Sequence, residues 1–349
     1  MIKQTAGAGF FMQTFSDWVQ FLVSGAVVVL LLLVLLALVI LILKRTAKQE
    51  KAAFIVEHLN STWEENRNRI RRAVLPRKAF EKIIKEQEKN KKAEKNAEES
   101  KKKVFVVDFE GDVTASACNS LRGLITALLA IVRPTDEVVV RLESAGGVVH
   151  GYGLAASQLA RLKDSKIPLT VCVDKIAASG GYMMACVANR VVAAPFSIIG
   201  SIGVVSSTPN FNRLLKKHDI DFVEQTAGEY KRTVTLFGEL TDSKKDKHQQ
   251  DIAVIHDLFK QHVAHFRPQV DINAVSTGEI WMGRMAHQLQ LVDELKTSDD
   301  LLLDLGQNAE VYLLRQEQAE GLKSRILKHL MTGWTALQLP LAKHNSINA

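Results

Sequence analysis

The chain has 349 residues, 47% of them apolar and only 6% aromatic, and a formal net charge of +7. That length suits one large or two modest domains with a sizeable core. Three scattered cysteines, Cys118, Cys172 and Cys186, exclude a disulfide framework and a zinc site; Cys172 and Cys186 lie in apolar runs and read as buried thiols.

The positive charge is local. Residues 44–103 hold about 19 Lys/Arg against about 10 Asp/Glu, so the remainder is slightly acidic. A basic balance confined to one segment does not mark the main domain as a nucleic-acid binder, and no zinc-finger, helix-turn-helix or aromatic–basic RNA pattern occurs.

After an N-terminal segment, 1–20, residues 21–43 form an uncharged run rich in Leu and Val. About 23 residues suffice to cross a hydrocarbon core of roughly 30 Å. The run is too long for a cleaved signal core, and Lys44 and Arg45 follow it where a cleavage site would offer small residues. A transmembrane helix is predicted there, with Trp18 at the interface. Lys44, Arg45, Lys48 and Lys51 after the span, against Lys3 before it, place residues 44 onward in the cytoplasm by the positive-inside rule.

Residues 52–79 carry apolar positions at helical spacing, and Pro76 interrupts them. Residues 81–103 are mostly Lys, Glu, Asn and Ala, a solvated helix or spacer. The whole of 44–103 reads as a basic juxtamembrane tether whose charge suits anionic lipid head groups.

From Val104 onward β-rich runs alternate with helical stretches. Strands are predicted at 104–109, 137–142, 169–173, 190–194 and 221–225. Helices are predicted at 113–132, 149–162, 180–188, 211–217 and 243–265. This alternation implies an α/β domain, 104–305, built on a mainly parallel sheet covered on its faces. The C-terminal part, 306–349, adds a strand at 311–314 and a basic amphipathic helix at 322–334.

The chemistry concentrates at residues 174–182, Asp-Lys-Ile-Ala-Ala-Ser-Gly-Gly-Tyr. An apolar run leads to Ser179 at the start of a helix. Free N–H groups and the positive helix end favour a developing anion there, which suits a nucleophile for acyl transfer. The plain alternative is a serine that only caps the helix. Three further features converge with it. The turn Glu143-Ser144-Ala145-Gly146-Gly147 follows a strand, and its glycines let a backbone N–H of Gly146 or Gly147 face a ligand; a simple tight turn has the same composition. Lys231, in Gly228-Glu229-Tyr230-Lys231-Arg232, serves as a base if burial or a neighbouring cation lowers its pKa, and otherwise is one more surface lysine. Ser201, flanked by Gly200 and Gly203, presents a hydroxyl that holds an amine or satisfies its own turn.

Taken in chain order (the glycine turn at 144–147, then the motifs around Ser179, Ser201 and Lys231), with Trp281-Met282-Gly283-Arg284 and Leu291-Val292-Asp293 after them, these features resemble the signal peptide peptidase A family of membrane serine proteases, peptidase family S49. The span and length are similar to its bacterial SohB branch. The resemblance covers about residues 104–300. It implies a ClpP/crotonase-like spiral of ββα units behind one N-terminal transmembrane helix. It also implies a membrane-anchored serine endopeptidase acting on peptides or on unfolded and membrane-derived fragments. Ser179 becomes the nucleophile, Lys231 the general base, Ser201 the residue that orients the lysine, and Gly146 with the Gly180 N–H the oxyanion hole. No metal or organic cofactor is required. Family members form dome-like rings, sometimes with the lysine donated across a subunit boundary, so a homo-oligomer of eight copies suits a chain of one protease domain. The bacterial inner membrane is implied, with family analogy placing the site outside and the charge pattern placing it inside. Two positions depart from the family: Ala145 stands where proline is usual, and Gln290 where a glycine often precedes Leu-Val-Asp. Other readings of the same residues are a crotonase-like acyl-CoA-binding enzyme and a non-catalytic oligomeric scaffold on the membrane.

Overall fold

The computed structural model describes residues 54–94 and 101–316, together with Gly25, Val27 and residues 29–35. The predicted span lies mostly outside the described residues. Those of it that are described are helical with exposed side chains, and among the described residues no helix is long and apolar enough to cross a membrane. The predicted helix at 322–334 lies outside them as well.

Residues 54–316 form one compact unit. It begins earlier than the composition change at Val104 suggests. The segment Phe54–His58 is strand β1, not helix, and pairs antiparallel with the last strand, β10 (Ala309–Gln316). β-branched Ile55 and Val56 prefer the pleated surface that β10 offers. Helices α1 (Leu59–Val74) and α2 (Arg77–Glu94) follow, separated at Pro76 as its missing N–H requires.

The main sheet runs β1–β10–β2–β3–β4–β6–β9, with β2 at Lys102–Gly111, β3 at Glu137–Ser144, β4 at Leu169–Val173, β6 at Arg190–Ala193 and β9 at Glu294–Leu295. All its pairs except β1–β10 are parallel. Val138, Val139 and Val140 in β3 are all fully buried, as a strand covered on both faces demands. One face packs against α3 (Cys118–Leu129), α4 (Val149–Asp164) and α5 (Gly180–Ala185), with Phe259 and Val263 of α7 (Asp242–Phe266) in the same cluster. The other face carries a smaller cluster with Leu59 of α1 and with Leu301 and Leu302 of α10 (Ser298–Leu305).

A second layer positions the site. β3 outruns β4: its residues 138–141 pair with β4, while Ser144 at its end pairs with Ala177 of β5 (Ile176–Ala178). The chain therefore leaves the main sheet after Val173 and re-enters as β5. β5 pairs in parallel with β7 (Ile198–Gly200), which pairs antiparallel with β8 (Ile280–Met282). β5, β7 and β8 were not among the predicted strands, because three-residue strands carry no periodicity.

The predicted strand at 221–225 is not formed. Residues 216–232 are all exposed, and the loop holding them contains only the short α6 (Asn212–Lys217). Its base is closed by Asn210, whose Nδ2 donates to the carbonyls of Thr235 (2.9 Å) and Gly238 (3.0 Å). With no neighbouring strand to pair it, the apolar run there stays open. Two short helices, α8 (Ile272–Val275) and α9 (Gly283–Gln288), complete the unit.

Candidate active site

Ser179 links β5 to α5 with φ 52° and ψ −119°, outside every region an L-residue occupies comfortably. A non-glycine residue held there costs about 1–3 kcal/mol and persists only when its surroundings over-determine it. They do. The Ser179 N–H donates to the Gly200 carbonyl at 2.8 Å, and its own carbonyl accepts from Met183 N–H at 2.9 Å. The Ser179 side chain makes no capping hydrogen bond. The helix-cap reading therefore fails, and the hydroxyl is left available while the backbone is fixed. The geometry is that of a strained strand-to-helix elbow that presents the serine side chain.

Packing around the elbow admits only glycine. A Cβ on Gly180 would lie 2.4 Å from Cγ of Tyr152, and one on Gly181 would lie 2.5 Å from the Ser144 carbonyl oxygen. Gly146 has φ +90°, and a Cβ there would sit 2.7 Å from Gly180 N and 2.8 Å from Ser179 Cβ. The glycine turn thus lies directly against the serine, as the sequence pattern anticipated.

The turn is held by a network that the sequence did not reveal. Tyr152, fully buried, has its hydroxyl 2.5 Å from Ser144 Oγ and donates to the Asp112 carbonyl at 2.7 Å. Ser144 Oγ accepts from Gly146 N–H at 3.1 Å. Gly146 N–H is therefore turned inward, toward Ser144. Its neighbour Gly147 lines the cavity instead. Ala145, which replaces the expected proline, leaves the turn intact.

A cavity of about 350 Å³ opens over Ser179. Gly147, Gly180 and Ser201 share it with apolar Met183, Val204 and Phe259 and with polar His256 and Thr277. Ser201 has φ 53°, and its N–H donates to the Glu279 carbonyl at 2.6 Å. Gly200 before it has φ +107°, and a Cβ there would meet the Trp281 ring at 2.5 Å. The Trp-Met-Gly-Arg motif thus supports the Ser201 turn. His256 belongs to the missed residues: its Nε2 is buried with no partner, and nothing in the helical pattern of α7 distinguishes it from its neighbours. His262, on the same helix, sits 2.9 Å from the Met183 carbonyl through Nε2, and burial lowers its pKa. Burial also pushes the Cys172 and Cys186 thiols up to about 12, so both are inert core groups.

Lys231 is not brought to the cavity. It is exposed on the 216–232 loop, and its N–H donates to the Gly228 carbonyl at 3.2 Å. The structure thus unites Ser179, Ser201, Gly147 and Gly180 and leaves the lysine outside. Among the described residues no cluster of His, Cys, Asp or Glu could hold a metal ion.

Behind the elbow, the Tyr182 hydroxyl donates to the Leu291 carbonyl at 2.9 Å. Burial raises the Tyr182 pKa well above its ordinary value. Arg267, almost wholly buried, forms a two-pronged pair with Asp293, both contacts at 2.7 Å. Gln290, with φ 61°, holds the left-handed turn where a glycine was expected. The turn survives the departure at a local conformational cost.

Comparison with known proteins settles the lineage. The family described as "Peptidase family S49" matches residues 161–312, and "Peptidase family S49 N-terminal" matches residues 13–159. The chain is 53% identical over 244 residues to "Probable protease SohB" of Haemophilus influenzae, covering 70% of this chain and 67% of that one.

This chain belongs to peptidase family S49.

A second S49 relative, "Probable protease SohB" of a Buchnera aphidicola from the aphid Acyrthosiphon pisum, is 57% identical over 204 residues, 58% of this chain and 61% of its own. A more distant one, "Putative signal peptide peptidase SppA" of Enterococcus faecium, is 29% identical over 168 residues, 47% of this chain and 48% of its own. The chain thus spans between about half and two thirds of these S49 relatives. The mixed α/β unit with its predominantly parallel sheet is the fold of an S49 peptidase domain, and its elbow and glycine turn fall within the matched stretches.

Proposed function

We propose that the chain is a membrane-anchored serine endopeptidase in which Ser179 is acylated by the substrate. The observation that carries this reading is the strained backbone at Ser179, held in place while its hydroxyl is left free over a cavity. The Ser179 Oγ attacks the scissile carbonyl, and its proton passes to the base. The tetrahedral oxyanion is met by two backbone donors. Gly180 opens α5, so its N–H has no intrahelical acceptor. At the glycine turn the donor is Gly147, since Gly146 N–H is engaged with Ser144. Gly146 contributes the left-handed bend.

The base is Lys231, oriented by Ser201 in the assembled site. Two facts favour delivery of that lysine by a second copy. The loop carrying it is exposed over residues 216–232, and it bears exposed Ile220 (52%), Val223 (78%) and Tyr230 (52%). Such apolar groups are ordinarily covered by an interface. The fold is then the ClpP/crotonase spiral, and the assembly a homo-oligomeric ring such as an octamer. The anchor is the apolar run 21–43, supported by its length and flanking charge. Apolar Met183, Val204 and Phe259 in the cavity favour unfolded or membrane-derived peptides with apolar side chains.

The test is subunit mixing. Ser179→Ala and Lys231→Ala are each expected to abolish casein hydrolysis. Co-refolded one to one, the two dead variants should recover about a quarter of the wild-type rate, the random share of neighbours that pair an intact serine with an intact lysine. No recovery, with correct oligomers formed, would remove the shared site. Activity in either single variant would remove the dyad.

A further inference from the structure

We propose that the tip of the α1–α2 hairpin is a docking surface for anionic phospholipid. Eight of the twenty residues 66–85 are Lys or Arg, and Glu81 is the one acid among them. Arg67, Arg69, Arg72, Arg77, Lys78 and Lys82 are all exposed. Arg77 pairs with Glu81 at 2.9 Å.

Two apolar side chains stand exposed among these cations. Ile70 is 65% and Val74 70% exposed. They lie four residues apart and so share one helix face. A protein partner of opposite charge would explain the arginines and leave the apolar pair unaccounted for. A bilayer interface rich in anionic head groups accommodates both, taking the cations at phosphate level and the apolar pair at the acyl boundary. At the other end of the hairpin, Leu59 is buried in the core, so the tip projects from a rigid base. About 24 Å of helix separates tip from base at the α-helical rise. Ten residues, 44–53, separate the apolar run from β1. Fully extended they span at most about 35 Å, and the proposal rests on the reading of residues 21–43 as a membrane anchor. The proposal is independent of Ser179 and Lys231.

The experiment uses the full chain in lipid nanodiscs, with Ala73→Cys carrying an environment-sensitive nitrobenzoxadiazole dye. Ala73 is exposed at the tip, and the native Cys118, Cys172 and Cys186 are buried, so labelling is confined to the new thiol. Replacing pure phosphatidylcholine with discs of about 30 mol% phosphatidylglycerol should raise dye emission at least about threefold, because each basic side chain near such a surface raises partitioning about fivefold. Salt at about 0.5 M should reduce the gain, and Arg67→Gln/Arg69→Gln/Arg72→Gln/Arg77→Gln should abolish it without changing casein hydrolysis. Equal emission in the two lipids would overturn the proposal. So would the same rise in phosphatidylcholine discs on adding oligonucleotide or more protein, which would assign the surface to a nucleic acid or a second copy. Proteolysis in the same discs is read separately, so loss of catalysis and loss of docking are distinguished.

Discussion

Ser179 offers a way to separate backbone strain from chemistry at one position. Its φ of 52° with ψ −119° is open to glycine and costly for any residue with a Cβ. Ser179→Gly relieves roughly 1–3 kcal/mol of strain and gives back about 0.4–1 kcal/mol through the looser unfolded chain. Ser179→Ala keeps the Cβ and the strain, and loses no cap because the side chain makes none. Both variants lack the hydroxyl and should be inactive. Ser179→Gly should therefore be about 0.5–2 kcal/mol more stable than Ser179→Ala, while Ser179→Ala stays within about 0.5 kcal/mol of the parent. Urea unfolding in detergent, followed by far-UV circular dichroism, reads the difference as a shift in midpoint at constant m. A Ser179→Gly protein no more stable than Ser179→Ala would refute the claim that stability is spent to hold this elbow.

Three further outcomes follow from the packing and the charges. Gly180→Ala drives a methyl to 2.4 Å from the buried Tyr152 ring and should cost about 1–3 kcal/mol, whereas Gly153→Ala on α4, with nothing within 4 Å, should gain up to about 1 kcal/mol from helix propensity. Gln290→Gly, at the left-handed position after α9, should stabilise by about 0.5–1 kcal/mol with no loss of activity, measured as an upward shift in Tm. His262 has its pKa lowered from 6.5 by burial, so the unfolded chain binds its proton first. Its contribution is complete above about pH 6.5 and falls as pH drops through the folded pKa, by at most about 1.4 kcal/mol per pH unit; His262→Gln should flatten that slope in urea midpoints taken from pH 7.5 down to about 5.

Much of the site was legible from residue type and order. Ser179, Gly180 and Ser201 meet at one cavity because Gly-Gly pairs and a strand-to-helix switch leave a strong local signature. The alternation of apolar runs after Val104 announced the parallel sheet for the same reason: strands buried on both faces read as continuous Val-rich runs. What escaped has physical causes. β5, β7 and β8 are three residues each, too short for any period to emerge. β1 looked helical because Phe54, Ile55, His58 and Leu59 fit a 3.6-residue spacing, and only β10, far along the chain, converts the first of them to a strand. The 221–225 run has strand propensity and no partner. The inward turn of Gly146 depends on Ser144 and Tyr152, eight residues apart and joined only in three dimensions. Lys231 was singled out by motif, and the exposed loop that carries it leaves it outside the cavity, a placement that no local pattern of residues encodes.

The most direct measurement of the central claim is covalent trapping of the serine. The wild-type protein in detergent is treated with a peptidyl fluorophosphonate, digested and mapped by mass spectrometry. One adduct is expected, on the peptide containing Ser179, appearing in step with loss of casein hydrolysis and absent from Ser179→Ala. Hydrolysis that persists in Ser179→Ala, or an inactivating adduct on any other residue, would contradict the account.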